Sequence, residues 1–141
     1  MPLPNVIGLS AMGLDLSPRV VTSTAIVTSP SAAVETTICT VTLPTNIAIN
    51  TVLLFGWAAF TVGTSGTAVN LKLRRTDTSG STLAATGATT GGIAATNLVD
   101  VNVQGLDTAP PSAQVYVLTL TVTAGAATST VSACSIIALA V

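Results

Sequence analysis

Residues 19–141 divide into eight short segments in which apolar and polar positions alternate, separated by clusters of Gly, Pro, Ser and Asp. The segments are 19–28, 34–43, 51–62, 67–75, 81–86, 97–106, 114–123 and 128–141, and each is predicted to be a β-strand. The most informative is 51–62, which is apolar on both faces: Val52, Leu54, Ala58 and Phe60 point one way, Leu53, Phe55, Trp57 and Ala59 the other. A strand of that kind needs protein on both sides, from a second sheet, a neighbouring subunit or both. The next strand alternates cleanly, with Val69, Leu71 and Leu73 on a buried face against Asn70, Lys72 and Arg74 on a wet one.

Later segments repeat the pattern. Val99, Val101 and Val103 alternate with Leu98, Asp100, Asn102 and Gln104; Tyr116, Leu118, Leu120 and Val122 share one face of 114–123. In the last strand the apolar face is expected to be Val131, Ala133, Ile137, Leu139 and Val141. Turns are expected at 76–80, with Gly80 available for positive φ, and at 107–111, while 87–95 is a Gly/Ala/Thr loop.

Eight strands without an amphipathic helix predict an all-β chain, an eight-stranded antiparallel β-sandwich of jelly-roll type. An immunoglobulin-like sandwich is the competing topology, but the spacing of Trp57, Cys39 and Cys134 does not follow its pattern. The link at 63–66 tests the choice. It is short enough for a hairpin, whereas in a jelly roll it must carry the chain from one sheet to the other.

Residues 1–18 lack strand alternation and contain Pro2, Pro4 and Pro18, so they form an irregular N-terminal arm, and the sandwich domain is 19–141. The arm is too apolar for a solvating tail, with Leu3, Ile7, Leu9, Leu14 and Leu16 among its residues, and it is expected to lie on its own domain or on a neighbour. It has no basic region of the secretory kind, and no stretch of the chain approaches the ~18 consecutive apolar residues of a membrane helix. The expectation is a soluble protein without a membrane partner.

Composition sharpens the picture in one respect. Charged residues make up 6% of the 141 and the net charge is −1, against roughly 25% charged residues in an ordinary soluble domain. Such a surface gives little protection against self-association, which favours a permanent assembly over a monomer coated in hydroxyls. With four basic residues, nucleic acid is not an expected partner.

Catalysis finds no foothold. The chain has no His, the usual proton acceptor near neutral pH. The five carboxylates are Asp15, Glu35, Asp77, Asp100 and Asp107; Asp77 and Asp107, placed in turns, are expected to serve local backbone hydrogen bonds. Neither an enzyme nor a cofactor is expected, and a calcium site between Asp77 and Asp107 is a weak alternative. Cys39 and Cys134 read as two buried thiols, with one disulfide the alternative. Phe55, Trp57, Phe60 and Tyr116 lie on strands among apolar neighbours, where core packing is the default, although Trp57 also suits an interface anchor or a sugar platform. Lys72, Arg74 and Arg75 make a small basic stripe, either a solvated face or a contact for an acidic neighbour.

The runs AVETTICTVTLP (33–44), NTVLLFGWAAFTVGTSGTAVNLKLRRTDTSGSTL (50–83) and LDTAPPSAQVYVLTLTV (106–122) are similar to small jelly-roll virion proteins of tailed bacteriophages, the head decoration (cement) proteins and head-fibre domains. The resemblance covers about 34–141 and rests on strand rhythm, including a DTxPP turn leading into a Tyr-x-Leu strand. It implies a structural protein on the capsid exterior of a virion, a homotrimer bound across the major capsid protein, with no catalytic residues. The candidate interface residues are then Leu3, Ile7, Leu9, Leu14 and Leu16 of the arm, with Trp57, Lys72 and Arg74. A receptor- or carbohydrate-binding module and a subunit of an extracellular filament are the alternatives.

Overall fold

A computed structural model describes residues 19–22, 34–45, 49–63, 68–86, 98–123 and 129–140, with 19–22 and 123 described by backbone alone. These residues form the strands β1 (Arg19–Thr22), β2 (Thr36–Thr42), β3 (Thr51–Val62), β4 (Ala68–Arg75), β5 (Thr82–Ala85), β6 (Leu98–Thr108), β7 (Val115–Thr123) and β8 (Ser129–Ala140). The predicted arm, the end of the first predicted strand and the loop 87–95 lie outside the described residues.

The strands build two antiparallel four-stranded sheets, ordered β1-β8-β3-β6 and β2-β7-β4-β5. Only β4 and β5 are neighbours both in sequence and within one sheet; every other connection passes from one sheet to the other. That is the jelly-roll wiring. The link at 63–66 therefore crosses between sheets, as the jelly roll requires and a hairpin would not.

The core lies between the sheets. Val52, Leu54, Ala58, Phe60 and Val62 of β3 and Ile136 and Ala138 of β8 face Leu71 and Leu73 of β4 and Tyr116, Leu118 and Leu120 of β7, all essentially fully buried. Each large side chain so placed contributes about 1.5–3 kcal/mol relative to exposure. Gly56 sits on the same inward face of β3 because a Cβ there would come within 2.6 Å of Leu118 Cδ1 and 3.1 Å of Val103 Cγ1. Its missing side chain is filled by Leu118 from the facing sheet.

Three expectations are corrected. The inward face of β8 is not a single alternating set. Phe60 pairs with Val131 but Ala59 pairs with Ala133, so Ser132 is an extra residue and the strand carries a β-bulge. Beyond it the parity flips: Cys134, Ile136, Ala138 and Ala140 point inward, and Ile137 is exposed. Asp107 is not a turn residue, since β6 continues to Thr108 and Asp107 occupies a buried inward position. At the 76–80 turn the positive φ falls on Thr76 (68°), while Gly80 is required sterically, because a Cβ would lie 1.6 Å from the Arg75 carbonyl oxygen.

Cys39 and Cys134 are buried thiols not joined by a disulfide. The Cys134 thiol donates to the Ile38 carbonyl at 3.0 Å.

Candidate functional site

The two sheets present very different outer faces. On the β1-β8-β3-β6 sheet, the register sets Leu106, Leu53 and Leu139 side by side, then Gln104, Phe55 and Ile137, then Asn102, Trp57 and Ser135. Because β3 is apolar on both faces and only one can meet the second sheet, the other is left outward. Phe55 is 39% exposed, Trp57 38%, Ile137 38% and Leu106 52%. The result is an apolar patch about two strand spacings wide, on the order of 10 Å, with Gln104, Asn102 and Asp100 on the β6 edge as its polar margin.

Core packing, the default for all four strand aromatics, holds for Phe60 and Tyr116 and fails for Phe55 and Trp57. The face opposite them on β3 carries Gly56, the position that admits Leu118, and that selects which side turns inward.

The outer face of the β2-β7-β4-β5 sheet carries a cluster in which two cations share one carboxylate. Glu35, just before β2, reaches across β7 to β4. It accepts hydrogen bonds from Lys72 Nζ at 3.0 Å, from Arg74 Nε at 2.5 Å and Nη2 at 3.0 Å, and from the Thr119 hydroxyl at 2.6 Å. Burial pushes the Glu35 carboxyl up, but the hydrogen bonds from Arg74, Thr119 and Lys72 outweigh it and hold the carboxyl at about 2. The bond from Glu35 in turn raises the Arg74 guanidinium against the smaller opposing effect of burial. Lys72 and Arg74 thus share an acidic partner within their own chain. β4 is also an inner strand, so these cations do not guard a sheet edge.

Arg75 does not belong to that stripe. Two residues beyond Leu73, it shares the inward parity and reaches the β6 carboxylate: Arg75 Nε donates to Asp107 Oδ2 at 2.8 Å and Nη2 donates to Oδ1. The Tyr116 hydroxyl donates to the same Oδ2 at 2.8 Å. Burial, and then the bond to Asp107, hold the Tyr116 hydroxyl well above its ordinary value. Asp77 does serve its own turn, accepting from the Ser79 and Gly80 amides at 2.8 and 3.0 Å. These contacts hold it below the usual carboxylate range, the Ser79 hydroxyl contributing most.

Trp57 and the Lys72–Arg74 pair therefore lie on opposite outer faces of the sandwich, and Leu3, Ile7, Leu9, Leu14 and Leu16 lie outside the described residues. Asp77 is engaged by its own turn and Asp107 by Arg75 and Tyr116, and among the described residues no three His, Cys, Asp or Glu side chains converge as metal ligands. Sequence reasoning missed Leu106 and Ile137 as members of the outward face that carries Phe55 and Trp57, and Glu35 and Asp107 as counter-ions. For Arg75 the signal was present in its parity with Val69, Leu71 and Leu73.

No protein-family model matches the chain, and no curated protein matches it in sequence. Solved structures do match. VP2 of infectious bursal disease virus, in a subviral particle, superposes with a TM-score of 0.61 at 16% identity over 87% of this chain and 33% of that one. The Gx strain of the same virus gives 0.60 at 15% identity, over 86% and 32%. The TNF protein Eiger from S. frugiperda gives 0.56 at 9% identity, covering 88% of this chain and 92% of its own. The chain thus spans about a third of the VP2 polypeptide and nearly all of the Eiger one. At these identities what is shared is the fold, a two-sheet antiparallel sandwich with jelly-roll strand order.

Proposed function

We propose that this jelly roll is a structural virion protein without catalytic activity, an oligomer that reinforces a capsid by burying surface across its subunit junctions. The supporting observation is the outward apolar patch of the β1-β8-β3-β6 sheet around Phe55 and Trp57 on a chain of 6% charged residues. A patch of that kind marks an interaction site. Trp is the side chain most often found at the energetic centre of an interface. The VP2 likeness supports the reading in kind, since those chains come from virus particles. The resemblance to phage head decoration proteins supplies the finer form, a homotrimer on the capsid exterior bound to the major capsid protein.

The test is the native mass of the purified chain, followed by co-sedimentation with tailed-phage heads stripped of decoration protein. A trimer that pellets with the heads is the expected result. A monomer that stays in the supernatant overturns the proposal.

A second reading has its own observation. Phe55 and Trp57 lie side by side with Gln104 and Asn102 directly across the strand pair, which is also how an aromatic platform with hydrogen-bonding groups takes a sugar. Specific hits on a glycan array that disappear with Trp57→Ala would favour a carbohydrate-binding module. An array without hits would leave the structural reading in place.

A further inference from the structure

The apolar face on the β1-β8-β3-β6 sheet has the character of a contact surface, and its chemistry narrows what it takes. Across β8, β3 and β6 the outward positions carry a single charge, that of Asp100. The rest are aliphatic, aromatic, amide or hydroxyl side chains, so a strongly charged partner would be desolvated there without compensation. The chain supplies a segment of matching character. Residues 1–18 include Leu3, Ile7, Leu9, Leu14 and Leu16 and carry one charged side chain, Asp15.

Where that segment joins the domain also matters. β1 lies beside β8, with Arg19 opposite Ala140 and Val20 opposite Leu139. The chain therefore enters the sheet one residue before the row formed by Leu139, Leu53 and Leu106. Eighteen extended residues reach at most about 60 Å, while the outermost strands of a four-stranded sheet are about 14 Å apart. The segment can thus reach well beyond its own domain. In the single chain Phe55, Trp57, Leu106 and Ile137 are each more than a third exposed.

We propose that residues 1–18 of one copy lie across the outer face of the β1-β8-β3-β6 sheet of a neighbouring copy, covering Leu53, Phe55, Trp57, Leu106 and Ile137. The inference rests on the reading of the protein as a homo-oligomer and names the contact that holds it. Such an exchange explains why the segment is too apolar to be a free tail and why β3 is apolar on both faces.

The experiment uses the full chain. Two sets of single variants are prepared, Ile7→Cys, Leu9→Cys or Leu14→Cys in the segment and Gln104→Cys on the face, where Gln104 is exposed opposite Phe55. One from each set is mixed, oxidised and weighed without reductant. A disulfide between a segment variant and Gln104→Cys on different chains is the expected product, formed at least about tenfold faster than with a Thr130→Cys control. Because Trp57 is the only tryptophan, its emission reports the cover directly. Ile7→Asp/Leu9→Asp should shift that emission to the red and weaken association at least about tenfold.

Three results overturn the proposal. An intrachain link in a Leu9→Cys/Gln104→Cys double variant, without cross-chain product, places the segment on its own domain. An intact oligomer with no link at any position, and Trp57 emission unchanged in Ile7→Asp/Leu9→Asp, removes the segment while leaving the oligomeric reading standing. A wild-type chain that is monomeric throughout removes both.

Discussion

Arg75 and Asp107 join the two sheets of the sandwich: the guanidinium from the end of β4 meets a β6 carboxylate that is 1% exposed, with both of its oxygens engaged. Tyr116 adds a third hydrogen bond from β7. Removing the carboxylate leaves the buried Tyr116 hydroxyl without its acceptor, while Arg75, 31% exposed, can turn partly to water. Asp107→Ala is expected to destabilise the fold by about 2–4 kcal/mol. Tyr116→Phe, which leaves the ion pair intact, should cost only about 1–2 kcal/mol. Urea unfolding of the two variants checks the order, and a Tyr116→Phe loss equal to that of Asp107→Ala would contradict the arrangement.

The Glu35 cluster makes stability depend on pH in a defined window. The folded-state carboxyl sits at about 2, against 4.5 for the group in an open chain. A depressed folded value means that the contribution is complete above about pH 4.5. It declines as the pH falls through that interval, where the unfolded chain takes up the proton first, and it is gone below about pH 2. Allowing for screening of a partly exposed group, the change is about 1–2 kcal/mol. Glu35→Gln should be less stable than wild type at pH 7 by that amount and equal to it near pH 2. Thermal unfolding curves from pH 2 to 7 for both proteins provide the measurement, and parallel profiles would remove Glu35 as the cause.

At Gly56 the facing sheet packs directly over the β3 backbone. A methyl group there would stand 2.6 Å from Leu118 Cδ1 and 3.3 Å from Leu73 Cδ2. The nearest atom is the end of a flexible side chain, so Leu118 can yield, but only into a filled core. Gly56→Ala is expected to destabilise by about 1–3 kcal/mol, and Gly56→Val by more. Leu118→Ala should reverse part of the Gly56→Ala loss by vacating the space, and a double variant showing simple additivity would place the strain elsewhere.

Strand positions were legible because alternation with period two survives in nearly every segment, and the crossing between β3 and β4 followed once eight strands were counted. Parity was lost at β8, where Ser132 adds one residue to the ladder and exchanges the two faces beyond it. Nothing in the local sequence marks that bulge, since small and apolar residues stand on both sides of it. The direction of Phe55 and Trp57 was hidden for a related reason. With both faces of β3 apolar, orientation depends on which face fits Leu73 of β4 and Leu118 of β7, the latter far along the chain. The Glu35 contacts with Lys72 and Arg74 span 37 and 39 residues, a separation at which only the assembled topology reveals a partner.

The two outer faces allow the assembly surface to be separated from the merely polar one. Phe55 and Trp57 project from β3, an inner strand of the sheet, where replacement by a β-branched polar residue preserves the strand. Phe55→Thr/Trp57→Thr should therefore change the stability of the isolated domain by no more than about 1 kcal/mol. If the apolar face holds the oligomer together, the same change should weaken association by at least about 2 kcal/mol, some thirtyfold. Lys72→Ala, on the opposite face and paired with Glu35 in the same chain, should leave association unchanged while lowering stability slightly. Sedimentation velocity across a dilution series measures the first effect, and chemical unfolding measures the second. Dissociation caused by Lys72→Ala, with Phe55→Thr/Trp57→Thr still assembled, would move the contact surface to the β2-β7-β4-β5 sheet and with it the whole account of how the jelly roll is used.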